Sequence, residues 1–129
     1  MKKLISAIVL LFIMCSCKAQ QYTFVATSFS YAVLGDSEWL WSDWTDVSIP
    51  IIINAESNTI YINSKDPQFY KIVAGPKKYS DERSSVYEFK ASDSKQNLVE
   101  VDLRRRNDGA MQLYVEMKNL RWAYTLQAL

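Results

Sequence analysis

Apolar side chains in this sequence recur at every second position over long stretches. Val47, Ile49, Ile51 and Ile53 share one parity, as do Val99, Val101 and Leu103, then Met111, Leu113, Val115 and Met117, then Trp122, Tyr124 and Leu126. Successive side chains of a strand point to opposite faces, so this period marks half-buried strands, whereas an amphipathic helix would space its apolar residues three or four apart. Weaker alternations over residues 22–33, 59–64, 68–73 and 85–91 bring the total to about eight strands. Polar clusters at 54–58, 75–83, 92–97 and 107–109 separate them.

Parity also predicts registers, because opposed residues of an antiparallel pair must face the same side of the sheet. A two-residue Asp108-Gly109 turn would set apolar Leu103 against outward Tyr114. A three-residue loop, Asn107-Asp108-Gly109, instead pairs Leu103 with Leu113, Val101 with Val115 and Val99 with Met117, with Gly109 in the left-handed position of a G1 bulge. A four-residue loop over 55–58 pairs Ile53 with Ile60 and Ile51 with Ile62. Short hairpins in series make an antiparallel meander. The expected fold is all-β: a small up-and-down barrel, with a two-sheet β-sandwich as the alternative. The resemblance to lipocalin-like barrels is one of topology only.

The first residues, MKKLISAIVLLFIMCSCKAQ, combine Lys2 and Lys3, an apolar run over 4–14 and small residues at the end, the three-part pattern of a secretory signal. The run is too short for a transmembrane helix, which needs about 20 apolar residues. Met14-Cys15-Ser16-Cys17 resembles the lipobox of bacterial lipoproteins, which implies acylation of Cys17 and a division into a signal peptide, 1–16, and one β domain, 17–129. An ordinary small-x-small site with cleavage after Ala19 is the alternative. The expected location is the periplasmic side of a bacterial membrane as a lipoprotein, for example at the outer membrane, or else a soluble periplasmic or secreted state.

Loss of Lys2 and Lys3 with the leader takes the formal charge from +1 to −1. No net field then draws the protein to nucleic acid. Both cysteines belong to the leader region, and the chain has no histidine. Together these absences remove Cys/His and Ser-His-Asp nucleophile systems, structural zinc sites and imidazole bases. Ser92-Asp93-Ser94-Lys95 matches S-x-x-K but sits in a polar turn rather than at the start of a buried helix. Acid pairs such as Asp43 with Asp46 have little room for a cleft in so short a chain, and no D-x-[DN]-x-[DN]-G calcium loop is present. The sequence therefore predicts no enzyme, no cofactor and no metal.

Three of the four tryptophans fall within Glu38-Trp39-Leu40-Trp41-Ser42-Asp43-Trp44. Trp39 and Trp41 have the parity of Val47 to Ile53, so an unbroken strand would aim both inward and leave Trp44 on the other side. As a plug these rings would add to the core. Exposed beside Glu38, Ser42, Asp43 and Asp46 they would suit a sugar or another amphipathic molecule, or a protein partner. Trp39, Trp41, Trp44 and Asp43 are thus the candidate ligand contacts. Arg105, inside Arg104-Arg105-Arg106, has the inward parity of Leu103 and is expected opposite Met111 near a barrel end, where it would select an anionic ligand. Lys77 and Lys78 read as a solvated turn. Tyr61, Tyr70, Tyr87, Tyr114 and Trp122 read as sheet formers with polar ends in water.

The sequence thus predicts an exported, lipid-anchored, non-enzymatic domain that binds a small amphipathic or saccharide ligand at a barrel end. The alternatives are a protein-binding module, such as an inhibitor of an envelope enzyme, and a structural envelope lipoprotein.

Overall fold

The computed structural model describes residues 21–129. The leader, Cys17 and both cleavage sites lie outside the described residues. The chain forms β1 (Gln21–Leu34), β2 (Trp39–Trp41), β3 (Thr45–Asn54), β4 (Thr59–Ile62), β5 (Gln68–Ser80), β6 (Ser84–Ser92), β7 (Leu98–Arg106), β8 (Met111–Glu116) and β9 (Leu120–Ala128). Each strand from β3 to β9 pairs with the next, and β9 returns to β1 from Phe24↔Ala128 to Val33↔Leu120, closing an eight-stranded antiparallel barrel. Closure removes sheet edges and decides for the barrel over the sandwich.

The predicted registers Leu103↔Leu113, Val101↔Val115, Ile53↔Ile60 and Ile51↔Ile62 are all present. Gly109 has φ of 94°, and Arg106 N–H donates to the Ala110 carbonyl at 2.8 Å, closing the three-residue loop. In the 55–58 loop, Asn54 Oδ1 accepts the N–H groups of Glu56 and Ser57, each at 3.0 Å, and Asn58 takes φ of 59°. Asparagine tolerates that left-handed conformation. Val99 does not pair with Met117: β8 ends at Glu116, and Met117 N–H donates instead to Leu120 O at 2.8 Å, turning the chain into β9.

Three irregularities break the alternation. In β1, Ala26 pairs with Leu126 and Ser28 with Thr125, which leaves Thr27 as an extra residue. The bulge switches the inward set from Tyr22, Phe24 and Ala26 to Phe29, Tyr31 and Val33. In β5 the chain was expected to leave the sheet at Gly75-Pro76, yet the strand runs on to Ser80 through register shifts around Ala74. Gly75 makes this possible with φ of 106°; a Cβ there would stand 2.7 Å from the Glu88 carbonyl oxygen of β6.

The third irregularity overturns the expected direction of two tryptophans. β2 and β3 lie in line along the same margin of β1, with Trp41 opposite Ala32 and Thr45 opposite Phe29. The chain takes four steps from Trp41 to Thr45 while β1 takes three from Ala32 to Phe29, and one residue of slip exchanges the faces. Ser42 fixes the slip: its N–H donates to Tyr31 O at 2.7 Å, its Oγ accepts Tyr31 N–H at 3.0 Å, and its carbonyl accepts Ser30 Oγ at 2.8 Å. Trp39 and Trp41 therefore lie on the outer wall, not inside.

Ile51, Ile53, Ile60, Ile62, Val101 and Val115 are buried in a core shared by all the barrel strands, with Tyr87, Phe89, Leu103, Leu113 and Leu126 around them. Each such aliphatic side chain contributes roughly 1.5–3 kcal/mol on burial. Loops 55–58, 81–83 and 107–110 cross one end of the barrel, and loops 35–38, 63–67, 93–97 and 117–119 cross the other. The second end opens into a cup.

Candidate functional site

β4 is four residues long, and above it Asn63 N–H donates to Pro50 O at 2.9 Å before the chain swings out through 63–67. The barrel wall is low there, and inward positions of β1, β3, β5 and β9 line a cup of about 490 Å³. Its walls are apolar: Phe29 from β1, Ile49 from β3, Met117 at the end of β8 and Trp122 from β9. The Thr27 bulge puts Phe29 inside, where its ring centroid lies 5.5 Å from that of Trp122 and 5.2 Å from that of Tyr124. Ser64, Lys65 and Asp66 form one lip, with the two charges opposite in sign and exposed. Volume and lining match those of small-molecule sites in general.

The floor is polar. Gln68 of β5 donates from Nε2 to the Tyr124 hydroxyl of β9 at 3.0 Å, and its Oε1 accepts the Tyr70 hydroxyl. β5 and β9 lie on opposite sides of the barrel, four strands apart in the closed order, so this chain of hydrogen bonds is a crossbar between the cup and the packed core. Tyr70 is 4% exposed and Tyr124 1%. Burial raises both phenol pKa values, for Tyr70 with help from the neighbouring Tyr124 and for Tyr124 against the Gln68 hydrogen bond, so both remain neutral hydrogen-bonding groups at physiological pH.

The candidate residues chosen from the sequence are not brought together, and none lines the cup. On the outer wall the Arg121 guanidinium lies 4.1 Å from the Trp39 ring centroid while pairing with Glu116 at 2.8 Å. Trp41 meets Tyr114 edge to face at 6.3 Å, and Arg104 covers Tyr114 at 6.0 Å. Asp43 and Trp44 sit in the exposed link between β2 and β3. Arg105 does pair with Met111 and is exposed, but at the barrel end opposite the cup. None of the cup residues, Phe29, Gln68, Tyr70, Met117, Trp122 and Tyr124 among them, is a ligand contact expected from the sequence. A signal existed for two of them: Gln68 and Tyr70 share an inward parity, and a polar residue at an inward position needs a partner inside the barrel.

Two further polar groups have local roles. Asp93 Oδ1 accepts the N–H groups of Lys95 at 2.9 Å and Asn97 at 2.8 Å, and these hydrogen bonds, that of Asn97 foremost, hold its carboxyl below the usual range. Ser92 to Lys95 is therefore the polar turn expected. On the outer face, carboxylate oxygens of Glu88, Glu100 and Asp102 lie within 4.8 Å of one another, and Lys90 bridges to Glu100 at 3.2 Å. Burial, then the charge of Glu100, pushes Asp102 up to about 7. Such a group shares protons; among the described residues it is the one acidic grouping close enough to hold a cation.

Comparison of the chain with models of known protein families, with curated proteins and with solved structures finds no match.

Proposed function

We propose that the protein is an exported, lipid-anchored binding protein that holds a small amphipathic or saccharide ligand in the open end of its barrel, without covalent chemistry. The observation that carries this reading is the cup of about 490 Å³, in which apolar walls from Phe29, Ile49, Met117 and Trp122 stand over a polar floor. Apolar walls hold the body of a ligand, and a few convergent polar groups fix its orientation. β1 starts at the end opposite the cup, so an acyl chain on Cys17 would leave the mouth facing away from the membrane. The test is thermal unfolding of the purified protein against sugars, lipids and envelope extracts. A ligand at 100 times its dissociation constant adds about 2.7 kcal/mol, and Ile49→Arg, which fills the cup with a charged side chain, should abolish the shift. No hit across such a library, or hits unaffected by that substitution, would refute the reading.

A protein-binding role, such as inhibition of an envelope enzyme, is favoured by a separate observation. Leu34, Leu40, Trp41 and Trp44 are each 46%, 52%, 45% and 48% exposed around the β2 segment. Leu34 and Trp41 share the outer face of the β1–β2 ladder, and exposed apolar side chains of this kind suit a partner. A partner captured by wild type and lost with Trp41→Asp, while cup-ligand binding persists, would support it.

A further inference from the structure

We infer that the cup takes an uncharged ligand that enters head first, placing a hydrogen-bond acceptor such as a carbonyl or ether oxygen on the Gln68–Tyr124 floor and its flat apolar body against Trp122 and Phe29. The inference rests on the reading that the cup binds a ligand, and it adds the chemical class and the orientation. It follows from a count of protons. Tyr70, Gln68 and Tyr124 together carry two O–H and two N–H protons. Their two mutual hydrogen bonds use two of these. Two donors are left over, whichever way the Gln68 amide is turned, because the tyrosine that accepts from the amide always keeps its own proton. Tyr70 and Tyr124 are the two most buried residues of the lining, which puts this surplus at the bottom of the cup rather than at its mouth.

Charge decides against an anionic head. Among the described residues no lysine or arginine lines the floor or walls, and the one cation at the cup is Lys65, on the exposed lip beside Asp66 of opposite sign. A carboxylate driven to the floor would give up its water with no cation in return, whereas a carbonyl gives up far less and finds two waiting donors. The raised pKa values of the two phenols agree with a floor that stays neutral. Ring stacking suits the walls, since Phe29 and Trp122 already pack at 5.5 Å and present aromatic surface to the opening.

The experiment measures, by calorimetry on the purified protein, the affinities of three ligands of nearly one shape: 2-acetylnaphthalene, 2-naphthoate and 2-ethylnaphthalene. The ketone should bind roughly tenfold more tightly than the hydrocarbon and roughly tenfold or more tightly than the carboxylate. In Tyr70→Phe/Gln68→Leu/Tyr124→Phe, which has no floor donor, the advantage over the hydrocarbon should shrink to within about twofold. If that triple variant fails to fold, the wild-type ratios alone decide. Equal binding of ketone and hydrocarbon would overturn the acceptor-on-floor placement while leaving the cup a ligand site. Tightest binding of naphthoate, weakened by Lys65→Ala, would overturn it in favour of a head at the lip. Failure of all three to bind would also overturn it, and the proposed function would fall only if the wider ligand screen failed as well.

Discussion

Replacing Gln68 by leucine removes the centre of the crossbar and leaves both of its ends behind. The Tyr70 and Tyr124 hydroxyls each lose the partner they have in the folded protein, and both residues are almost fully buried. A buried hydroxyl without a partner costs about 1–3 kcal/mol. Water entering the cup reaches one side of the floor, which places each cost near the lower end of that range, and two hydroxyls then give a loss of about 2–3 kcal/mol. In a domain of this size a loss of that order lowers the melting temperature by about 10 °C or more. Urea unfolding followed by far-ultraviolet circular dichroism reads the change directly. The triple variant Tyr70→Phe/Gln68→Leu/Tyr124→Phe, which has no orphaned hydroxyl, should recover to within about 1 kcal/mol of wild type. A single variant within about 0.5 kcal/mol of wild type, or a triple variant less stable than the single, would refute the crossbar as a bonded unit.

Gly75→Ala should destabilise by about 3 kcal/mol or more, because alanine is strained at φ of 106° and its Cβ would press on the Glu88 backbone oxygen at 2.7 Å, which cannot swing aside as a side chain could; a melting temperature equal to wild type would count against the bulge. Asp102 is raised from 3.8 to about 7 on folding, so between those values the native state holds the extra proton and stability falls as the pH rises. Asp102→Asn should therefore gain about 1 kcal/mol over wild type at pH 8, a figure discounted for the partial exposure of the group, with the gain vanishing near pH 4; a difference that does not vary with pH would contradict the carboxylate cluster. Arg105→Ala should bind any cup ligand within about twofold of wild type, since Arg105 lies at the other barrel end; a large loss of affinity would show that the cup is not the site.

The barrel was legible in the sequence wherever a single strand or hairpin held all the information. Ile51 against Ile62 and Leu103 against Leu113 follow from parity and loop length, and the three-residue loop follows from where Gly109 falls. Parity fails once an extra residue intervenes. Thr27 is such a residue, as is the additional step at Ser42 to Trp44, and neither differs in composition from its neighbours. Parity carried back from Ile53 to Trp39 therefore put two tryptophans on the wrong face. Polarity misled at Gly75-Pro76, where an outward-facing strand reads like a loop because much of it meets water. The floor was less legible still. Gln68 and Tyr124 lie 56 residues apart in the chain and meet only because β9 closes on β1, so no local pattern reports the contact.

The most direct test is the indole N–H region of a nitrogen-15 correlation spectrum, in which four tryptophan side chains give four signals. With Trp122 assigned through Trp122→Phe, titration of 2-acetylnaphthalene should move the Trp122 signal while those of Trp39 and Trp41 on the outer wall stay in place. Movement of Trp41 or Trp44 with Trp122 unchanged would contradict the cup as the binding site.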